Sequence, residues 1–250
     1  MTKGTLVIVG SGIKSISHIT IEAKKYIEQS KKVLYLLNEP SVKEWVKKLN
    51  PNSESLDSLY TKYVLRKKNY DTITNYILET LSNFRHLCVV VYGHPTFFCQ
   101  PAINAIILAR EKKFNAFMLP AVSSVDCLFS DLLIDPGFSG CQIYDATNFL
   151  IHNYILVPTN HVIFLQIGAI GSITRSKFHS NKNGALLFQK YLLKFYSLKD
   201  KIILYEAALY PTFKPKIIYS NLLKFPAQNI TPLTTLYIPP RSSETLKKIN

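Results

Sequence analysis

The chain has 250 residues, 47% of them hydrophobic, which is enough apolar material for one large or two small α/β cores. No apolar run reaches the roughly 18 residues of a membrane span, and the short strand-like stretch after Met1 cannot serve as a secretory signal, so a cytoplasmic protein with no membrane role is expected. The net charge of +14 sits on lysines spread as pairs such as Lys24-Lys25, Lys31-Lys32 and Lys112-Lys113, without the long basic runs that would argue for nucleic acid as a partner.

Thr5 to Val9 reads as a buried strand, followed by a turn at Gly10-Ser11-Gly12 and an amphipathic helix from Ile19 to Gln29. Lys32 to Leu37 is a second strand and Val42 to Leu49 a second helix. A variable segment then precedes a helix over Tyr70 to Phe84. Leu87 to Tyr92 is an unbroken apolar run that stops at Gly93, the form of a strand buried on both faces. Pro101 opens a helix with its body over Ala102 to Lys112, and Phe114 to Leu119 is a further strand. This alternation predicts a largely parallel sheet with helices on both faces.

Beyond Pro120, Ser123 or Ser124 caps a helix running through Leu133. Strands are predicted at Cys141 to Tyr144, His161 to Ile167, Lys201 to Ala207 and Thr234 to Ile238, with a helix over Ala185 to Tyr196. Their irregular spacing predicts a mixed second sheet. Two α/β domains result, 1–120 and 121–250, with neither an internal repeat nor a low-complexity linker between them. Cys88, Cys99, Cys127 and Cys141 form no C-x-x-C pair and lie in apolar settings, so free thiols are expected rather than disulfides or a zinc site.

Three stretches carry chemistry. Val9-Gly10-Ser11-Gly12 resembles the start of a dinucleotide fingerprint, but Ser15 stands where the third glycine belongs and the only acid near the end of the second strand, Glu39, precedes Pro40. A tight strand-to-helix turn is the better reading. Tyr92-Gly93-His94-Pro95 ends a buried strand, where open α/β sheets bind ligands, with Phe97 close behind. Tyr60, Tyr63, Arg66 and Tyr70 are spaced so that one helix would carry all four on one side. An arginine inside an aromatic stripe argues against simple core packing, because an unpaired buried guanidinium is costly.

The segments VIVGSGIKSISHITIEAKKYIEQSKKVLYL, YGHPTFFCQPA, MLPAVSSVDCLFSDLLIDP, FLQIGAIG and TTLYIPP follow one another in this order. Together they resemble the tetrapyrrole-methylase superfamily of S-adenosylmethionine-dependent methyltransferases, and within it the borosin peptide α-N-methyltransferases. The resemblance implies two α/β domains of that type with the cofactor, S-adenosyl-L-methionine, in the cleft between them and S-adenosyl-L-homocysteine as product. It implies cofactor contacts from Tyr92, Gly93, His94 and Phe97, from Ser123 and Ser124, from Gln166, from Tyr205, Glu206 and Ala207, and from Thr234 and Thr235. Arg66 and Tyr70 resemble the arginine and tyrosine that line the family's peptide channel, with Tyr60 and Tyr63 as the accompanying tyrosine pair.

Iterative methylation of backbone amides in a ribosomally made precursor is the implied activity. An amide nitrogen is a poor nucleophile, so Arg66 is expected to stabilise charge on the carbonyl oxygen. Tyr70, its pKa lowered by the guanidinium, is expected to take the proton. The chain ends ten residues beyond Pro240, as in the split type, so the precursor is expected as a separate peptide with a helical recognition domain, bound to a homodimer that could carry two precursors. The competing readings are a tetrapyrrole or ribosomal-RNA methyltransferase of the same superfamily and a non-catalytic peptide binder. No metal is expected.

Overall fold

The computed structural model describes residues 4–171 and 182–241, and the last residues of the predicted second domain, 242–250, lie outside these. The chain divides into two compact units, Met1–Cys127 with Ala208–Phe213, and Leu128–Ala207 with Lys214–Asn250.

The first unit contains β1 (Thr5–Gly10), α1 (Ile21–Gln29), β2 (Lys32–Leu36), α2 (Pro40–Leu49), β3 (Ser53–Ser55), α3 (Asp57–Tyr60), α4 (Arg66–Phe84), β4 (His86–Val91), α5 (Gln100–Glu111) and β5 (Asn115–Met118), and α6 (Ser124–Leu132) opens in it. The strands form one parallel sheet in the order β3-β2-β4-β1-β5. Alternation along the strands sends Leu6, Ile8, Leu87 and Val89 to a core shared with Ile73, Ile77 and Leu81 of α4 and Ala102 and Ala105 of α5. Val7, Val9, Cys88 and Val90 face the opposite way, onto Ala23 and Ile27 of α1 and Val42 and Val46 of α2. Each buried Val, Leu or Ile among these contributes about 1.5–3 kcal/mol.

Local chemistry sets the helix starts. Thr20 caps α1 by accepting the Ala23 N–H at 3.1 Å, and Pro40 begins α2 where a missing N–H costs nothing. One expectation fails. Tyr60, Tyr63, Arg66 and Tyr70 do not lie on a single helix: Tyr60 ends α3, Tyr63 lies in the connection, and Arg66 is the first residue of α4 after Leu65 in extended conformation. Helix spacing alone could not reveal a break that a later side chain imposes. Buried Asn69 takes the Tyr63 N–H at 2.7 Å and donates to the Tyr63 carbonyl at 2.8 Å.

The second unit holds α7 (Pro136–Ser139), β6 (Cys141–Asp145), α8 (Ala146–His152), β7 (His161–Leu165), α9 (Lys182–Leu192), β8 (Lys201–Glu206), β9 (Lys216–Asn221) and β10 (Thr235–Ile238). Its sheet is mixed, in the order β6-β7-β10-β8-β9, with only β6 and β7 parallel among the paired strands. Phe149, Phe164, Phe188 and Phe225 are all fully buried at its core. The sequence reading missed α8 and β9. It also extended the α9 helix to Tyr196 and the β7 strand to Ile167, which instead belongs to a short 3-10 turn.

Candidate functional site

In the first unit the two glycine segments meet each other. Gly12 and Gly93 exchange backbone hydrogen bonds at 3.2 and 3.1 Å. A Cβ on Gly10 would lie 2.1 Å from the Gly93 carbonyl oxygen and 2.6 Å from Ala121 Cβ, so the space beside the first glycine loop is already filled by protein. The recess lined by Ser11, Gly12, Ser15, Glu39 and Tyr92 has no room even for a water molecule, far short of the ~300 Å³ and upward of ordinary ligand pockets. Glu39, the acid a dinucleotide site would need, accepts the Tyr210 hydroxyl at 2.6 Å. The loop is a structural turn, as its missing third glycine suggested.

The turn after β4 is built differently. Gly93 has φ 71° and is buried, with its N–H and carbonyl both paired to Gly12, and a Cβ added there would meet only Ile13 Cδ1, at 3.5 Å, so the space left at this residue is on its Cα side. Tyr92 is half-buried, and burial pushes its phenol up to about 12. His94 accepts the Thr96 N–H on Nδ1 at 3.2 Å, with the Thr96 hydroxyl at 2.9 Å from the same atom. A backbone N–H can only donate, so Nδ1 carries no proton and Nε2–H is the free donor. Burial lowers the His94 pKa, against the opposing charge of Asp126, which keeps the ring neutral. Phe97 meets the His94 ring edge-on at 5.6 Å and is exposed.

Ser123 closes a reciprocal cap on α6. Its N–H and hydroxyl both donate to Asp126 Oδ2 at 2.6 Å, and its Oγ accepts the Asp126 N–H at 3.2 Å. Ser123 is therefore the buried cap and Ser124 the first helical residue. Sequence reasoning left the choice between them open and missed Asp126, although the S-x-x-D spacing was visible.

The catalytic candidates divide. Tyr60 and Tyr70 stack with ring centroids 6.2 Å apart and planes 27° apart. Tyr63 is 39% exposed, with Lys62 and Lys68 ammonium groups 5.5 and 6.0 Å from its ring. Arg66 is half-buried with no ion-pair partner among the described residues, and α4 carries Arg66, Lys67 and Lys68 in its first turn without any acid. Cations there oppose the helix dipole. The expected lowering of the Tyr70 pKa is corrected: burial, the Tyr60 charge and a hydrogen bond with Tyr60 push it up to about 12, outweighing the downward pull of Arg66. Cys99 also adjoins Tyr70, so the tyrosine pair sits beside the end of the 92–99 turn.

In the second unit, β7 and β8 both run antiparallel to β10, with Leu236 opposite Phe164 and Leu204 and with Thr235 opposite Tyr205. That register gathers Gln166, Glu206, Ala207, Thr234 and Thr235 at one end of the sheet. Gln166 is held at φ 60°, a left-handed conformation rare for a residue with a side chain. Tyr205 is fully buried and donates to Asp131 at 2.6 Å, which leaves mainly its backbone for a ligand. Glu206 Oε1 accepts from Thr234 at 2.6 Å, Thr231 at 3.0 Å and Lys216 at 3.0 Å. Burial would raise the Glu206 pKa, but these bonds and the Lys216 charge bring it below the usual value. Glu206 thereby ties the loop before β10 to β8. Taken separately, the first unit offers a neutral donor at His94, and the second unit places the polar groups of Glu206, Thr234 and Thr235 at one end of its sheet. Among the described residues no group of three metal-ligating side chains is placed to hold a metal ion, all four cysteines are free, and no helix is long and apolar enough to cross a membrane.

The family model described as Tetrapyrrole (Corrin/Porphyrin) Methylases matches residues 5–145. The chain is 36% identical over 244 residues to a protein of Anomoporia bombycina named as a methyltransferase/ribosomally synthesized type III borosin cyclic peptide precursor, covering 96% of this chain and 28% of that one. It is 32% identical over 245 residues to the methyltransferase/omphalotin A precursor of Omphalotus olearius, covering 96% and 58%. A type I borosin precursor of Coprinopsis marcescibilis is 32% identical over 255 residues, with 99% and 65% covered. The chain thus spans between 28% and 65% of these relatives' lengths. Among solved structures, uroporphyrin-III-C-methyltransferase from Thermus thermophilus has a TM-score of 0.66 at 15% identity, covering 95% of this chain and 92% of that one. Diphthine synthase gives 0.67 at 9%, covering 98% and 93%. At such identities the likeness is one of fold.

Proposed function

Because the chain belongs to the tetrapyrrole (corrin/porphyrin) methylase family, we propose that it methylates backbone amide nitrogens of a ribosomally made peptide, using S-adenosylmethionine. One observation carries the reading: relatives similar over 96% to 99% of this chain bear names that join a methyltransferase to a cyclic peptide precursor. The proposal extends to iterative methylation, a peptide supplied on a separate chain, and a homodimer, all three resting on the resemblance in sequence.

S-adenosylmethionine, when bound, supplies an electrophilic methyl group on a sulfonium. In the first unit the proposed contacts to it are the Cα side of Gly93, the His94 Nε2–H, the faces of Tyr92 and Phe97, and Ser123 with Ser124. In the second they are Gln166, the backbone of Tyr205 and Ala207, and Thr234 with Thr235, while Glu206 holds Thr234 in place.

The peptide's amide is activated by this chain's own groups. Arg66 carries a guanidinium with no ion-pair partner among the described residues, and a negative charge developing on the substrate carbonyl oxygen would supply one. Tyr70 accepts the amide proton, directly or through water, from its small ionised fraction; Arg66 is the neighbour that favours that fraction, and Tyr60 opposes it. A phenol near 12 leaves about 10⁻⁵ of molecules ionised at pH 7, so slow turnover is expected. Tyr63, outside the stack, is proposed to contact the peptide without taking part in proton transfer.

The test is transfer of labelled methyl groups from S-adenosylmethionine to short synthetic apolar peptides, with fragmentation spectra locating each methyl on a backbone nitrogen. Methylation of uroporphyrinogen or of ribosomal RNA instead would replace the proposal with another branch of the family. Calorimetric titration with S-adenosylhomocysteine separates an enzyme from a peptide binder.

A further inference from the structure

We propose that Asn69 is a positioning residue: by clamping the Tyr63 peptide it holds α3 and α4 apart in sequence and sets Tyr60 against Tyr70 beside Arg66. The catalytic half of this inference rests on the reading above; the clamp itself does not.

From Asp57 to Phe84 the chain contains neither glycine nor proline, and its aromatic residues keep helical spacing. Nothing in that stretch forbids one continuous helix. In such a helix the Tyr63 N–H and carbonyl would both be used by the helical ladder, and ten residues of rise would separate Tyr60 from Tyr70 by about 15 Å. Instead their rings are 6.2 Å apart. Breaking the ladder at Tyr63 orphans one donor and one acceptor, and Asn69 satisfies both, taking the N–H at 2.7 Å and donating to the carbonyl at 2.8 Å. Asn69 itself is 1% exposed, so its amide has no water to turn to. Two neutral bonds to the peptide groups on either side of the Tyr63 Cα fix both flanks of the connection. Side-chain amides compete with helical bonding in this way when they find a backbone group to pair with. The folded-back form is thus bound to a single buried side chain, one residue before Tyr70.

Asn69→Leu keeps the volume and removes both bonds. We expect amide exchange at Tyr63 to accelerate by at least about tenfold, since its protection comes from Oδ1. With S-adenosylmethionine and the synthetic apolar peptides, kcat is expected to fall about 10²-fold while S-adenosylhomocysteine affinity and the KM for the donor stay within about twofold, as misplacement by an ångström predicts. A merely structural residue would lower donor binding and kcat together. Exchange in the wild type keeps the clamp testable even if the variant does not fold: a Tyr63 amide exchanging at the unprotected rate overturns it outright. Wild-type kcat in the Asn69→Leu protein, or parallel loss of kcat and donor affinity, overturns the positioning role. A wild type that methylates no peptide sinks the function proposed above, whereas the exchange result decides the clamp separately.

Discussion

Tyr60 closes α3 and Tyr70 lies in the second turn of α4, yet their rings stack with centroids 6.2 Å apart. The hydrogen bond between them helps keep the Tyr70 phenol protonated, so the pair holds a proton next to a cation rather than releasing it. Tyr70→Phe preserves the ring and deletes only that hydroxyl. Methyl transfer should drop by about 10²-fold or more, the range of a positioned acid–base group, while S-adenosylhomocysteine binding and the melting temperature change little. Parallel loss of binding would mean that the stack is only a packing element.

Arg66 begins a helix that opens on three consecutive cations, Arg66, Lys67 and Lys68, an arrangement that costs helix stability and is expected to serve the site. Arg66→Ala should therefore leave the melting temperature unchanged or slightly raised, and lower kcat about 10²- to 10³-fold, as loss of a donor to developing negative charge does. Arg66→Lys should rescue poorly, because a point charge does not reproduce a planar fork. A kcat within about threefold of wild type in either variant would exclude charge stabilisation by Arg66.

The sign of the pH dependence follows from Tyr70. Its pKa in the fold is about 12, above the ordinary value of 10, so the folded state binds this proton more tightly than the unfolded chain does. Its contribution to stability is complete below pH 10 and is lost as pH rises from 10 to 12. The rate moves the opposite way. If Tyr70 acts through its ionised fraction, kcat climbs about tenfold per pH unit from 7 to 10 without a plateau, and Tyr70→Phe flattens the profile. A wild-type plateau near pH 8 would assign the proton to another group.

Much of this was legible from residues alone, and the gaps have physical reasons. The unbroken apolar run before Gly93 was diagnostic because a strand buried on both faces cannot alternate, and it became β4 at the centre of the first sheet. The weakness of the first glycine loop was also visible, in Ser15 and in the place of Glu39. The tyrosine stripe misled because periodicity reports helix compatibility, while the break depends on Asn69, a residue contributing two bonds that only the folded chain reveals. The Tyr70 pKa was misjudged likewise: Arg66 was apparent in the sequence, whereas burial and the Tyr60 hydroxyl were not. In the second unit β9 was missed because half-buried edge strands such as KIIYSN lack the density of apolar residues that marks a central strand.

Two glycines that look equivalent in sequence should respond differently to alanine. At Gly10 the new methyl would meet the Gly93 carbonyl oxygen at 2.1 Å and Ala121 Cβ at 2.6 Å, neither of which is a flexible side-chain end. Backbone must move, at a cost of about 1–3 kcal/mol or more, and the turn that moves is the one carrying His94. At Gly93 the methyl meets only Ile13 Cδ1 at 3.5 Å, so the penalty is that of φ 71°, about 1–2 kcal/mol. Gly10→Ala should consequently lower both the melting temperature and S-adenosylhomocysteine affinity through displacement of the turn. Gly93→Ala should cost less stability but weaken binding at least as much, because its methyl would fill the space left for the ligand on the Cα side. Thermal melts paired with calorimetry on the two variants make the comparison. Full S-adenosylhomocysteine affinity in Gly93→Ala would remove the turn after β4 from the donor site.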